Sequence, residues 1–261
     1  MLRRTLLGMP FALLAQEGPW SVEEVRRYPA PEATQAVAVD AAHFYAIGSY
    51  AIAKYEKESG KRVAEWQCER GKPLIHLNSG VVRDGILYCA HSNYPGVPMV
   101  SSIEKWHTTA LEHAGSHSLG IFAGSLTWLD VFDGRWFATF AHYRNRGAEP
   151  GKDPRWTLLV EFDDQWQQRR SWVYSEEIVA KMGDYSLSGG VFGPGGVIVC
   201  TGHDAAEVYV VAFPEGGSEL VLMQTFPAPI EGQGIALDAS GMLWGIRRRA
   251  REVVAMRLRG V

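Results

Sequence analysis

The chain has 261 residues, of which 46% are hydrophobic, 21% charged and 11% aromatic, with 28 glycines and a formal net charge of −3. That length and apolar share suit one well-cored domain, and the slightly acidic balance supplies no bulk field to gather nucleic acid. The 3 cysteines form no CxxC pair and are odd in number, which argues against a thiolate zinc site and against a disulfide framework.

In chain order, Arg3-Arg4 come first, followed by an apolar stretch over 6–14 and a small residue, Ala15. A charged start, a short apolar stretch and a small residue describe a signal peptide over 1–16. Arg3-Arg4-Thr5-Leu6-Leu7 also resembles a twin-arginine export signal, so both export routes stay open and the expected location is periplasmic or secreted. The stretch is too short to span a bilayer and no later one is long enough, so no transmembrane segment is expected in the mature chain.

A short pattern then occurs five times, at 33–40, 77–84, 123–130, 186–193 and 231–238. Each copy has a small polar start, an apolar run, and an Asp or Gly at or near the turn that follows. The spacings are 44, 46, 63 and 45 residues. A period of roughly 40–50 residues built from short strands predicts a β-propeller. The first unit takes strands at 33–40, 43–47, 51–56 and 62–67, the second at 77–84, 86–90, 100–106 and 112–119. The third takes 123–130, 135–141, 156–162 and 167–174, followed by a short helix at 176–182. The fourth takes 186–193, 197–201, 207–213 and 220–226, and the last has only 231–238, 242–246 and 252–258. A strand at 20–28 precedes the first repeat and completes the last unit, closing the ring and removing a free edge. The expected fold is therefore all-β, a five-bladed propeller of four-stranded antiparallel blades in one domain over 20–261. The excess in the 63-residue spacing falls in 144–155, rich in Gly, Pro and charge, which reads as a loop able to cover a pocket.

Innermost-strand starts and second-strand ends share one face of a propeller, so the register names the residues that should converge. The starts give Gln35, Asn78, Ser125, Ser188 and Gln233 as substrate-binding candidates, with His76 and Glu231 just ahead of two of them. The second-strand ends give Ala90-His91, Ala141-His142, Gly202-His203 and Ile246-Arg247. Three histidines at one structural position suggest a transition-metal site of His91, His142 and His203 for Zn, Cu or Fe, with water activated at an open position. A metal-free polar pocket and a purely structural use of the same histidines are the competing readings. Glu231, His76 and Arg247 are the catalytic candidates, with Arg247 suited to a carboxylate, and Tyr94 is placed at the mouth by the loop after His91. The run Arg247-Arg248-Arg249 reads as a solvated or ligand-facing patch, so the expected partner is a small molecule rather than a nucleic acid. There is no phosphate loop, no GxSxG elbow and no HExxH.

The stretches Leu77-Asn78-Ser79-Gly80, Ala90-His91-Ser92-Asn93, Thr201-Gly202-His203-Asp204 and Glu231-Gly232-Gln233-Gly234 resemble exported bacterial β-propeller proteins of the broad lactonase, cycloisomerase and YncE-like group. The resemblance implies an exported enzyme acting on a small polar molecule by hydrolysis, lyase chemistry or lactone isomerisation. A non-catalytic binding propeller is the alternative. Propeller lactonases of the calcium type use carboxylate and Asn oxygens, whereas this chain offers histidines.

Overall fold

Strand follows strand through almost the whole of the computed structural model, which describes residues 19–121 and 123–260. The expected signal segment at 1–16 lies outside the described residues. The strands are β1 (Ser21–Pro29); β2 (Ala36–Val39), β3 (His43–Ile47), β4 (Ala51–Glu56) and β5 (Arg62–Gln67); β6 (Leu77–Arg83), β7 (Ile86–Ser92), β8 (Ser101–His107) and β9 (Glu112–Gly120). Then come β10 (Ser125–Phe132), β11 (Arg135–Ala141), β12 (Leu158–Phe162) and β13 (Gln168–Tyr174), the helix α1 (Glu176–Met182), and β14 (Gly189–Phe192), β15 (Ile198–Thr201), β16 (Glu207–Ala212) and β17 (Glu219–Pro227). The chain finishes with β18 (Ala236–Leu237), β19 (Met242–Arg247) and β20 (Glu252–Arg259).

These pair into three four-stranded sheets and one of eight. The first two are simple meanders, β2-β3-β4-β5 and β6-β7-β8-β9. The N-terminal strand joins the C-terminal ones in the order β1-β20-β19-β18, with Ser21 opposite Arg259 and Pro29 opposite Glu252. Trp20 fixes this strand further, exchanging two hydrogen bonds of 2.8 and 2.9 Å between its backbone and the Gln224 side chain on β17. The eight-stranded sheet consists of two meanders, β10 to β13 and β14 to β17, touching only where Val173 and Tyr174 pair in parallel with Glu219 and Leu220.

The burial pattern explains the strand composition. Inner and middle strands such as β4 (Ala51–Glu56) and β14 (Gly189–Phe192) are buried on both faces and read as continuous apolar runs. Outer strands such as β5 alternate, because one face meets solvent. The core lies between neighbouring sheets rather than in one mass. Phe44 and Tyr55 stack at 4.9 Å and meet Tyr28 and Trp244; Ile47 and Ile52 meet Leu87 and Trp106. Ala90 and Ile103 meet Leu126 and Phe140, Trp128 and Leu159 meet Ile198 and Tyr209, and Val199 and Val210 meet Val254 and Met256. The two halves of the eight-stranded sheet thus face each other across their own apolar layer. Cys89 and Cys200 are buried within these layers as packing residues, and Cys68, Cys89 and Cys200 are all free thiols.

The short strands β2, β6, β10, β14 and β18 pack successively, and β18 returns to β2. The return is backbone to backbone: Gly234 donates to the Gln35 carbonyl at 2.9 Å, and Val37 donates to the Gly234 carbonyl at 3.3 Å. Inner strands arranged around an axis in this way make the fold an all-β β-propeller. The expected inner strands are too long at three starts: 33–40 becomes Ala36–Val39, 186–193 becomes Gly189–Phe192, and 231–238 becomes Ala236–Leu237. Ser186 and Gln233 have positive φ of 62° and 70°, so the chain turns before it extends. Gln35, Ser188 and Gln233 therefore stand ahead of their strands, free of the alternation that would bury every second residue, while Asn78 and Ser125 lie within β6 and β10. No helix among the described residues is long and apolar enough to cross a membrane.

Candidate functional site

The loops at that mouth enclose a cavity of about 110 Å³, lined by Gln35, His76, Asn78, Tyr94, Thr127, Tyr143, Tyr185, Ser188, His203 and Gln233. It holds several waters or one small polar molecule. Its walls contain aromatic rings, amides, hydroxyls and two imidazoles, and no carboxylate. The three amides are braced from behind. Asn78 donates to the Leu126 carbonyl at 2.9 Å, Gln35 to Ser49 Oγ at 3.0 Å, and Gln233 to the His203 carbonyl at 2.9 Å. Each bond uses the nitrogen end and leaves the amide oxygen without a hydrogen-bond partner among the described residues. Side chains held this way keep a fixed orientation before a ligand arrives.

His76 differs from every other histidine near the mouth. It rests against the Tyr94 ring at 4.8 Å, and neither ring nitrogen has a hydrogen-bond partner among the described residues. Burial, helped by the Arg146 charge and by the repulsion a second proton on His91 or His203 would add, pushes its pKa down to about 4. The ring is therefore neutral at pH 7, with a lone pair free to take a proton or accept a hydrogen bond.

His203 also lines the cavity, stacked on Tyr185 at 4.4 Å, but both its nitrogens are engaged. Nδ1 lies 2.7 Å from Asp204 Oδ2, and Nε2 accepts from Arg248 Nη1 at 3.2 Å. Since the guanidinium can only donate, the neutral ring carries its hydrogen on Nδ1. His142 points elsewhere. Nε2 donates to the Ala123 carbonyl at 2.7 Å and Nδ1 stands 3.1 Å from Glu149 Oε2. Burial lowers the pKa of His142, and its Nδ1 faces Glu149 rather than the cavity. His91 is 8% exposed; its Nδ1 lies 2.9 Å from Ser102 Oγ, which donates to Glu104 at 2.6 Å, while its Nε2 is buried without a partner.

The metal expectation therefore fails the donor test. His91, His142 and His203 come from equivalent strand ends, but only His203 lines the cavity, its lone pair accepts from Arg248, and His142 faces Ala123 and Glu149 instead. Among the described residues no group of three His, Cys, Asp or Glu side chains stands in position to hold a metal ion. A zinc, copper or iron ion does not fit these residues, and no step is derived through one.

The loop at 144–155 packs against Tyr94, one of the lining residues. Glu149 accepts from the Met99 amide at 3.3 Å as well as facing His142, and Asn145 donates to Asp184 at 2.7 Å. Gly147 has φ of +80°, and a methyl group added there would meet the Tyr94 ring at 2.7 Å. The loop is thus tied to the segments on both sides of it.

No family model and no curated protein matches this chain. Solved structures do. A protein of unknown function from Bacteroides caccae is 13% identical over 78% of this chain, with a TM-score of 0.44, and the chain spans 64% of that protein's length. The WD40 β-propeller domain of Doa1 is 12% identical, covering 90% of this chain and 96% of that one, with a TM-score of 0.44. A PQQ-bound aldose sugar dehydrogenase from Streptomyces coelicolor is 12% identical, covering 90% of this chain and 80% of that one, with a TM-score of 0.51. The likeness is one of fold. It agrees with the propeller read from the strand pairing and carries no residue of a neighbour's site to this chain.

Of the residues expected from sequence, Gln35, His76, Asn78, Tyr94, Ser188, Gln233 and His203 line one cavity. Ser125 does not; it is fully buried and donates to Ser92 Oγ at 2.9 Å. Glu231 turns away to accept from the Arg249 amide at 2.9 Å, and Arg247 pairs with Glu252 across the β19–β20 hairpin at 3.0 Å. The arginine that reaches the site is Arg248, one residue on and beyond the end of the strand. The same one-residue offset applies at the end of β11, where Tyr143 rather than His142 faces the cavity. Tyr185, immediately ahead of the fourth copy of the repeat as His76 is of the second, and Thr127, within the third copy, line it as well.

Proposed function

We propose that this protein is a five-bladed propeller whose channel-mouth cavity binds and transforms a small polar molecule, with His76 as the proton acceptor. The blade count is supported by the five inner strands that follow one another around the axis, by the apolar layer between the two halves of the eight-stranded sheet, and by the closure of β1 on β20. The observation that carries the functional reading is His76, the one cavity imidazole kept neutral and without a protein partner. A base of that kind suits hydrolysis, elimination or lactone isomerisation, in which a proton leaves carbon or water as a neighbouring oxygen takes up charge. The tyrosine hydroxyls and braced amides supply donors and acceptors for that oxygen. Export is part of the proposal and rests on Arg3-Arg4 and the apolar stretch at 6–14.

The second reading is a non-catalytic binding propeller, favoured by the close bracing of the amides, which serves recognition as well as turnover. The two separate in one experiment. Purified protein and a His76→Ala variant are incubated with a complex mixture of small metabolites, and the mixture is followed by mass spectrometry. Time-dependent loss of one compound and gain of another with the wild type, absent with the variant, supports catalysis. A compound that co-purifies unchanged with the wild type supports binding alone. Equal turnover by the variant removes His76 from the chemistry.

A further inference from the structure

The cavity contains no carboxylate, yet its rim is cationic. Arg248 lies against His203, and Arg249 is close enough for its charge to reach Asp204. Arg146 projects from the loop at 144–155 over the Tyr94 ring, its guanidinium carbon 5.9 Å from the ring centre. Arg248 and Arg249 thus stand by one carboxylate, Asp204, which Arg248 approaches to 3.4 Å, while Arg146 stands by Tyr94. Among the described residues neither Arg146 nor Arg249 has a carboxylate within ion-pair distance. The field of Arg146 reaches the cavity, since it is one of the charges that disfavour a proton on His76. Low-dielectric walls without a carboxylate of their own concentrate that field on whatever enters.

Resting on the reading of this cavity as a small-molecule site, we infer that its ligand carries a carboxylate, which Arg248 and Arg146 hold at the rim while the rest of the molecule reaches His76. Arg248 now spends one N–H on the lone pair of His203, 3.2 Å away. A ligand carboxylate is the stronger acceptor and gives the paired, charge-assisted geometry that a guanidinium favours. Taking that N–H would free Nε2 of His203 on the cavity side, so binding of the anion and release of a second imidazole lone pair become one event. Asp204 holds the ring in place throughout by its bond to Nδ1. Tyr185, stacked beneath His203, prevents the released ring from tilting away.

The test uses the full protein with ¹⁵N-labelled histidine and a panel of carboxylates of two to six carbons, each paired with its primary amide, at low ionic strength. Saturable shifts of the His76 and His203 nitrogens with at least one carboxylate, and none with the matching amide, are expected. The Arg146→Ala and Arg248→Ala variants should each weaken that binding by about tenfold or more, as loss of a charge-assisted contact requires. Without any ligand, Arg146→Ala should raise the titration midpoint of His76. Binding of amides as strong as that of carboxylates, unchanged by either variant, would overturn the anion inference and leave the small-molecule site standing. If no compound of either kind moves His76, both readings fail. An unmoved His76 midpoint in Arg146→Ala shows that the rim charge does not reach the cavity and likewise overturns the inference.

Discussion

Two histidines of the same mouth show how little residue type alone decides. His142 is locked by Ala123 and Glu149, while His76 is left unpartnered in a neutral cavity. The difference makes a pH-dependent prediction for His76. Its folded pKa, about 4, lies below the ordinary histidine value near 6.5 of an unfolded chain. Between those values the unfolded chain binds the proton and the folded one does not, so stability falls as pH drops from 6.5 to about 4. The slope attributable to this group is at most about 1.4 kcal/mol per pH unit. His76→Gln should therefore flatten the acid limb of a urea-midpoint-against-pH curve while leaving the midpoint at pH 7.5 near that of the wild type. An acid limb as steep as before would mean that His76 takes up its proton in the folded protein as easily as in the unfolded one. Much of this site was legible from the repeat, which places Gln35, Asn78, Ser188 and Gln233 at one mouth. The state of each imidazole was not, because it depends on groups from other loops, such as the Ala123 carbonyl and Arg248, whose approach no strand register specifies.

At the level of elements, strands built on alternation or continuous apolar runs follow the sequence closely: β3, β4, β5, β11 and α1 begin and end where the pattern predicts. Two inner strands shrink because Ser186 and Gln233 adopt left-handed turns ahead of them, and a polar-then-apolar sequence does not distinguish a turn from a strand start. The one-residue offsets at Tyr143 and Arg248 have the same origin. Past its last ladder bond a chain no longer alternates, so which of two successive residues faces the axis is set by the loop. The loop at 144–155 makes its own prediction. Glu149 ties it to His142 and to the Met99 amide, and Glu149→Ala leaves both without that partner. Limited trypsin digestion should then cleave at Arg144, Arg146 or Lys152 several-fold faster than in the wild type, with global stability reduced by about 1–2 kcal/mol. Unchanged cleavage would show that the remaining contacts, Gly147 on Tyr94 and Asn145 on Asp184, hold the loop without it.

Across the whole molecule the ring is closed twice, at its edge and at its centre. At the edge, β1 covers β20 and leaves no free strand there. At the centre, closure depends on Gly234, where an added methyl would stand 2.4 Å from Ala36 Cβ and 2.9 Å from Ser79 Cβ. Both neighbours belong to inner segments with no room to retreat, so Gly234→Val should force the last sheet away from the first. A loss of about 4 kcal/mol or more, or failure to accumulate as soluble protein, is expected in urea unfolding. A wild-type midpoint would mean that the inner strands are looser than their spacing indicates. The tight approach at Gly234 also has a kinetic side. Below it lies a separate space of about 70 Å³, bounded largely by aliphatic side chains and glycines with Asp130 among them. The axis is thus pinched at the waist, and the molecule is a bowl rather than a pipe. The two spaces share no lining residue, so a molecule held at the mouth meets a floor at Gly234, and its exchange is a matter for the mouth alone.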